Sequence, residues 1–363
     1  MSDNGRPLKR ARISETASSP DVPESSTSAN LPHLFEPHHE FWLPDGNIIL
    51  VARAIGFRIY RGLIAAQSTV FEDMFASSST DANEIFDGCP VVHLSDSPED
   101  LVHLVRVLLP KSQRLYNRPA SRPFSEISAL VRLAHKYHIQ DVQDQALASL
   151  QGSVLSSHFE DWFKESTMPI IDNIDMIGIA NLARLTDTLS MLPGALFVCT
   201  LLSPGELLRG LTREDGTVEH LSADDLRRCL EGQRTLAIEV SLLPSRIFAR
   251  TPAVGCSTPA HCQPWCLHTL VCIVSSENIA ARQTSLGSWR NTIVPPASDG
   301  GMNTAKLCGA CEKELLRRDR HERWKVWKRL PEIFGIDIEG WGTGADVVGA
   351  RMGRMLSRLP GSS

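Results

Sequence analysis

Between Asp45 and Phe75 three periodicities follow one another with almost no spacer, and few folds accept that order. Ile48-Ile49-Leu50-Val51-Ala52 is a continuous apolar run behind an Asp45-Gly46-Asn47 turn, which predicts a buried strand. Phe57-Arg58-Ile59-Tyr60 alternates apolar and polar residues, which predicts a half-exposed strand with Gly56 in the hairpin before it. Ser68 then stands where an N-cap belongs, with Phe71, Met74 and Phe75 at helical spacing as core residues. A polar, Ser-rich loop from Ala76 to Asp87 leads to a third strand, Val91–Leu94. Ser97-Pro98-Glu99-Asp100 is a helix start, and Leu101, Leu104, Val105 and Leu108 follow on one face until Pro110 ends it. Further helices are predicted from Ser125 (Ile127, Leu130, Val131 and Ala134 inward) and from Asp141 (Val142, Ala146, Leu147 and Leu150 inward). Short strands followed by several helices make an α+β unit.

These residues resemble a BTB/POZ domain. The family pattern is an Asp- or Asn-led strand, a second strand ending in Phe-x-x-His-Lys, and a Leu-Ala-x-x-Ser-x-x-Phe-x-x-Met-Phe helix pair. Here Leu63-Ile64-Ala65-Ala66-Gln67-Ser68 to Met74-Phe75 matches the last part. The expanded BTB family of mushroom-forming (basidiomycete) fungi is similar at a further point, the opening Phe41-x-x-x-Asp45-Gly46-Asn47. Those fungal proteins also tend to end in a Cys-x-x-Cys, a charged helix and a Trp-x-x-Leu-Pro-x-x-Phe-Gly segment. This chain has Cys308-Gly309-Ala310-Cys311, then Trp327-Lys328-Arg329-Leu330-Pro331-Glu332-Ile333-Phe334-Gly335. Two departures stand out: Tyr60-Arg61 replaces His-Lys, and Asn47 heads the first strand where animal members place Asp. The resemblance implies a protein that binds other proteins and catalyses nothing. BTB domains pair with themselves through an apolar interface, or present a helix and loop to a cullin scaffold as substrate adaptors of ubiquitin ligases.

A chain of 363 residues exceeds one ordinary domain, and the expected division has five parts. Residues 1–40 read as a disordered tail, 41–152 as the BTB/POZ domain and 153–250 as a helical extension. Residues 251–345 read as a Cys-containing helical region and 346–363 as a short tail. In the extension one helix is expected from Val154 to Phe163, a second from Ile171 to Met191, and a third opened by Ser222 and Asp225 with Leu226 and Leu230 inward. The formal charge of −5 implies no general attraction to nucleic acid or membrane. No apolar run reaches the ~18 residues of a membrane helix, and no signal-peptide core opens the chain, so an intracellular protein is expected. Lys9-Arg10-Ala11-Arg12 reads either as a nuclear localisation signal or as a cluster that keeps the tail solvated.

Nine cysteines, an odd number in a chain without a secretion signal, suit free thiols or metal ligands better than a disulfide framework. Cys308-x-x-Cys311 can place two thiolates on one tetrahedral metal, and Cys262 with Cys266 is the second pair that suggests itself, with His261 and His268 as substitutes. The prediction is a structural zinc held by Cys262, Cys266, Cys308 and Cys311, weighed against buried, reduced thiols in a helical core. A thioredoxin-like role lacks the βαβ pattern around Cys308. The helix Glu312–Arg329 carries eight basic and four acidic residues. That composition opens a nucleic-acid alternative, against which stands a solvated face with internal ion pairs. No Gly-x-Ser-x-Gly, phosphate loop, dinucleotide fingerprint or His-Glu-x-x-His occurs, and Gly340-Trp341-Gly342-Thr343-Gly344 reads as a turn.

Overall fold

The computed structural model describes residues 35–78, 84–109, 122–151, 155–163, 171–249, 252–275, 284–294 and 307–342. The basic cluster Lys9–Arg12, most of the tail, part of the Ser-rich loop, Pro110, Val154 and residues 346–363 lie outside them.

The Asp-Gly-Asn opening ties the first elements together through side chains. Strand β2 (Ile48–Ala52) pairs antiparallel with β3 (Ile55–Ile59). Helix α1 (Arg61–Ala65) follows at once. Asn47 Oδ1 accepts from the Arg61 N–H (2.8 Å), an orphan donor of that helix, and the Tyr60 hydroxyl donates to Asp45 Oδ1 (2.7 Å). The two departures from the BTB pattern thus fall on residues that bind each other. In α2 (Thr69–Ser78) Ser68 acts as predicted: its Oγ accepts from the Phe71 N–H (3.1 Å) and donates to the Tyr137 carbonyl.

Gly56 does not turn the hairpin. The turn falls at Arg53, with φ +53°, and Gly56 lies inside β3, where a Cβ would meet the Phe35 ring at 2.5 Å. Phe35 is there because the chain enters the sheet early: Glu36–Trp42 forms a strand, β1, parallel to β3. The tail expected to run to residue 40 therefore ends before Phe35. Composition misled because Glu36, His39 and Glu40 face solvent, while His38 lies stacked on Phe57 (ring centroids 4.8 Å).

Two further strands, β4 (Ile85–Phe86) and β5 (Cys89–Leu94), complete a five-stranded sheet of order β1-β3-β2-β5-β4, with β5 parallel to β2. All of β2 is buried, as its unbroken apolar run predicts. Ile48, Leu50 and Ala52 join the main core, and Ile49 and Val51 pack with Phe35 and Cys89 on the other face. On the core face lie α3 (Pro98–Leu108), α4 (Phe124–Lys136) and α5 (Gln140–Leu150). Ser97 caps α3 by accepting from the Asp100 N–H (3.1 Å); Asp141 is not a cap but sits in the first turn of α5.

The segment expected as one helix over 171–191 is a shorter helix followed by a 3₁₀ turn, Leu189–Met191. Helix α6 (Asp175–Leu185) stops at Asp187, φ +54°, and α7 (Leu192–Cys199) starts with Pro193 in its first turn. Every residue of α7 is buried, so its apolar run is core. Among the described residues of the helix expected to end at Phe163, a 3₁₀ turn forms over Phe159–Phe163. Helix α8 (Pro204–Arg209) leads into a small hairpin, β6 (Leu211–Thr212) and β7 (Val218–Glu219). Helix α9 (Ala223–Phe248) is capped by Ser222 on the Asp225 N–H as predicted, but Leu230 is exposed. Then come α10 (Pro259–Val274), α11 (Arg290–Ile293), α12 (Gly309–Lys328) and α13 (Leu330–Phe334). The architecture is α+β, a small N-terminal sheet followed by a mainly helical region. The main core runs from Phe41 to Ile336, across the expected boundaries at 152 and 250, and includes Trp327, Leu330 and Phe334. No helix among the described residues is long and apolar enough to cross a membrane.

Candidate metal centre

A second, smaller core lies apart from the first, built from Leu243, Ile247 and Phe248 of α9 with residues of α10, α11 and α12, and the cysteines gather at its edge. Chain direction explains how. After α9 a turn is closed by the Cys256 N–H on the Ala253 carbonyl (3.0 Å), and Gly255 supplies its positive φ of 84°. Pro259 starts α10, so Cys262 falls in its opening turns; Cys308 is the N-cap of α12 and Cys311 lies in its first turn. Two helix N-termini therefore meet at one point, where exposed N–H groups and macrodipoles favour thiolate.

The sulfurs of Cys256, Cys262, Cys308 and Cys311 all lie within 4.8 Å of one another, and Cys308 Sγ is 3.7 Å from Cys256 Sγ. Four ligands at ~2.3 Å on a tetrahedral ion lie about 3.8 Å apart, so small shifts of the sulfurs complete such a site. The surroundings are those of anionic sulfur. The Cys308 N–H donates to Cys262 Sγ (3.4 Å), and Thr258 Oγ1 is 3.3 Å from the same sulfur. The Cys311 and Ser257 N–H groups hold the Cys308 thiol down to about 5. Burial pushes Cys311 up to about 12, and its hydrogen bonds with the neighbouring thiols of Cys256, Cys308 and Cys262 push the same way.

The structure brings three of the four predicted ligands together and replaces the fourth. Cys266 lies one turn, ~6 Å along the axis, beyond Cys262; it packs into the second core, and burial raises its thiol. Its place in the group is taken by Cys256, which spacing alone did not favour because Cys-x5-Cys is an unusual interval. Gly255 before it was the available signal: a tight turn that doubles the chain back. His261 and His268 are outside the group of four. Cys89, Cys199 and Cys229 are buried free thiols outside the group.

The basic residues of α12 are largely spent within the molecule. Arg317 and Arg318 pair with Glu314, Arg320 with Glu160, Arg323 with Asp319, Lys325 with Glu322 and Arg329 with Glu239. Asp319, itself buried, also accepts from the Trp289 N–H (3.2 Å) and so anchors the start of α11. The geometry favours a helix tied into the body over a continuous basic strip offered to a nucleic-acid backbone along its length. Among known proteins, no family model matches the chain, and comparison with curated proteins gives no match.

Proposed function

We propose that this chain is a protein–protein interaction module of the BTB/POZ type, without catalysis, whose C-terminal part is held by a structural zinc on Cys256, Cys262, Cys308 and Cys311. The interaction reading rests on one observation. An antiparallel β2–β3 hairpin carries a parallel third strand beside β2 and sends a short helix pair, α1–α2, off its end. That order is what the resemblance to BTB domains implies. The helix pair leaves Leu63 exposed and Val70 and Met74 half-covered, an apolar surface suited to a second copy.

The zinc reading rests on the four converging sulfurs and the N–H groups aimed at them. A core with ten buried residues among those described is small, and a metal cross-link between residues 256–262 and 308–311 is the usual support for one of that size. Native mass spectrometry of the purified full-length chain tests both parts. A dimer carrying one zinc per chain is expected, with Leu63→Lys shifting the dimer to monomer while the zinc stays. A strictly monomeric protein at high concentration removes self-association, and a metal-free spectrum removes the zinc.

A further inference from the structure

A cavity of about 500 Å³ lies between α9 and α12, away from the cysteines. Its lining carries four cationic and two anionic side chains, a surplus of positive charge in a chain whose formal charge is −5. Two buried carboxylates organise it. Glu239 accepts from Arg246 Nη1 (2.7 Å) and from Arg329 Nη1 (2.8 Å), so one carboxylate holds two guanidiniums side by side. Each guanidinium has five N–H donors and meets Glu239 through a single nitrogen; Arg329 Nε also lies 3.5 Å from Glu332. Glu322 holds Lys325 (2.9 Å). Lys328 has no carboxylate partner among the described residues; its Nζ lies over the Trp324 ring, 5.1 Å from the centroid. Trp324 Nε1 is buried without an acceptor, and Glu322 Oε2 is buried without a donor, 4.0 Å from Arg246.

We propose that this cleft binds a phosphate monoester. Donors in excess of acceptors, Trp324 Nε1 among them, suit an acceptor-rich ligand, and the positive surplus matches a group of about −1.5 to −2 charge with three terminal oxygens. A carboxylate supplies half that charge. Arginines pre-positioned on a carboxylate suit the planar, two-point recognition of phosphate oxygens, and Lys328 adds a mobile point charge at the mouth. Glu322 Oε2 then takes the hydroxyl or N–H that the ester's carrier presents. The volume exceeds that of a bare phosphate and falls within the roughly 300–1,000 Å³ of ligand sites, so the group arrives on a larger body. That body is a phosphorylated peptide side chain or a free small-molecule ester, and the lining recognises what they share.

Tryptophan fluorescence of the full-length protein, titrated with phosphoserine, with a short phosphoserine peptide and with the same peptide unphosphorylated, tests the site. A saturable change with the phosphorylated ligands and none with the unphosphorylated peptide is expected. Lys328→Gln weakens binding about tenfold without moving the thermal midpoint. Trp324→Phe, which removes the reporter indole at the cleft, abolishes most of the signal. A peptide at least tenfold tighter than phosphoserine assigns the site to phosphorylated proteins; equal affinities assign it to small esters. No saturable change with either, or a change that Lys328→Gln leaves intact, overturns the proposal.

Discussion

Cys256 and Cys266 occupy comparable intervals on either side of Cys262, yet they have opposite fates. Cys266 follows the helix and enters the apolar core as a protonated thiol; Cys256 comes back through a Gly turn to face two helix N-termini. Their serine variants therefore separate. With zinc on the four clustered cysteines as proposed, Cys256→Ser loses the metal and gives the second core its own unfolding step, at least about 10 °C below that of the rest. Cys266→Ser keeps the zinc and costs only about 1–2 kcal/mol of burial. Metal content with calorimetry reads both outcomes, and equal zinc loss in the two variants would return Cys266 to the ligand set. Gly232 shows a second residue-level choice that only packing reveals: a Cβ there would lie 2.5 Å from the Phe334 ring, so the end of the Leu-Pro-x-x-Phe-Gly segment seats on a bare helix surface.

At the level of elements, caps and periodic faces were the legible part. Ser68, Ser97 and Ser222 each accept the N–H three residues on, as their spacing predicts, because a cap is satisfied within one turn and needs no tertiary partner. Strand β1 was not legible, since its polar residues look like a tail until Phe35 and Phe41 find their pockets. The charges of α12 are also an element-level matter. Glu314 is held down from the ordinary 4.5 to about 2, first by its hydrogen bond to Arg317 and then by Arg318. Buried Glu239, which desolvation alone would raise, is pulled below its ordinary value by Arg246 and Arg329. A carboxylate whose folded pKa is depressed contributes stability present above its unfolded pKa and lost as pH falls through the folded one. Acid titration should therefore weaken the packing of α12 between about pH 4.5 and 2, with little change from pH 6 to 8 from these groups. Far-UV circular dichroism melts across that range check it, and a midpoint flat down to pH 2 would contradict the pairing.

Across the whole molecule, the β6–β7 hairpin adds a set of ion pairs between the sheet-bearing part and the helical part, beside the core they share. Arg213 pairs with Asp100 of α3, Arg132 of α4 pairs with Glu219 (2.5 Å), Arg53 with Asp215 (2.7 Å) and His103 with Glu214 (3.0 Å). Nearby, Gly178 of α6 lets Phe124 and Leu211 approach where a Cβ would stand 2.8 Å from both. Arg213→Met leaves Asp100 with a single guanidinium, Arg132, at 3.9 Å. The expected loss is about 2 kcal/mol, below the roughly 3–5 kcal/mol of a fully buried pair because this cluster keeps some water contact. Urea titration measures it. The midpoint should fall with the cooperative transition still single for the main core, since that core crosses both expected boundaries.

What the amino-acid order determined by itself is local: the buried run of β2, the capped helices, the α+β class and three of the four clustered cysteines. These depend on periodicities of two and 3.6 residues and on contacts inside one turn. Only the tertiary structure decided the rest: β1, the break at Asp187, the exposure of Leu230, Cys256 in place of Cys266, and the pairing of the α12 charges with Glu160 and Glu239. Each joins residues far apart in the chain, or turns on which face of an element finds a partner. Such choices are set by the shape of the closed core, which no local pattern encodes.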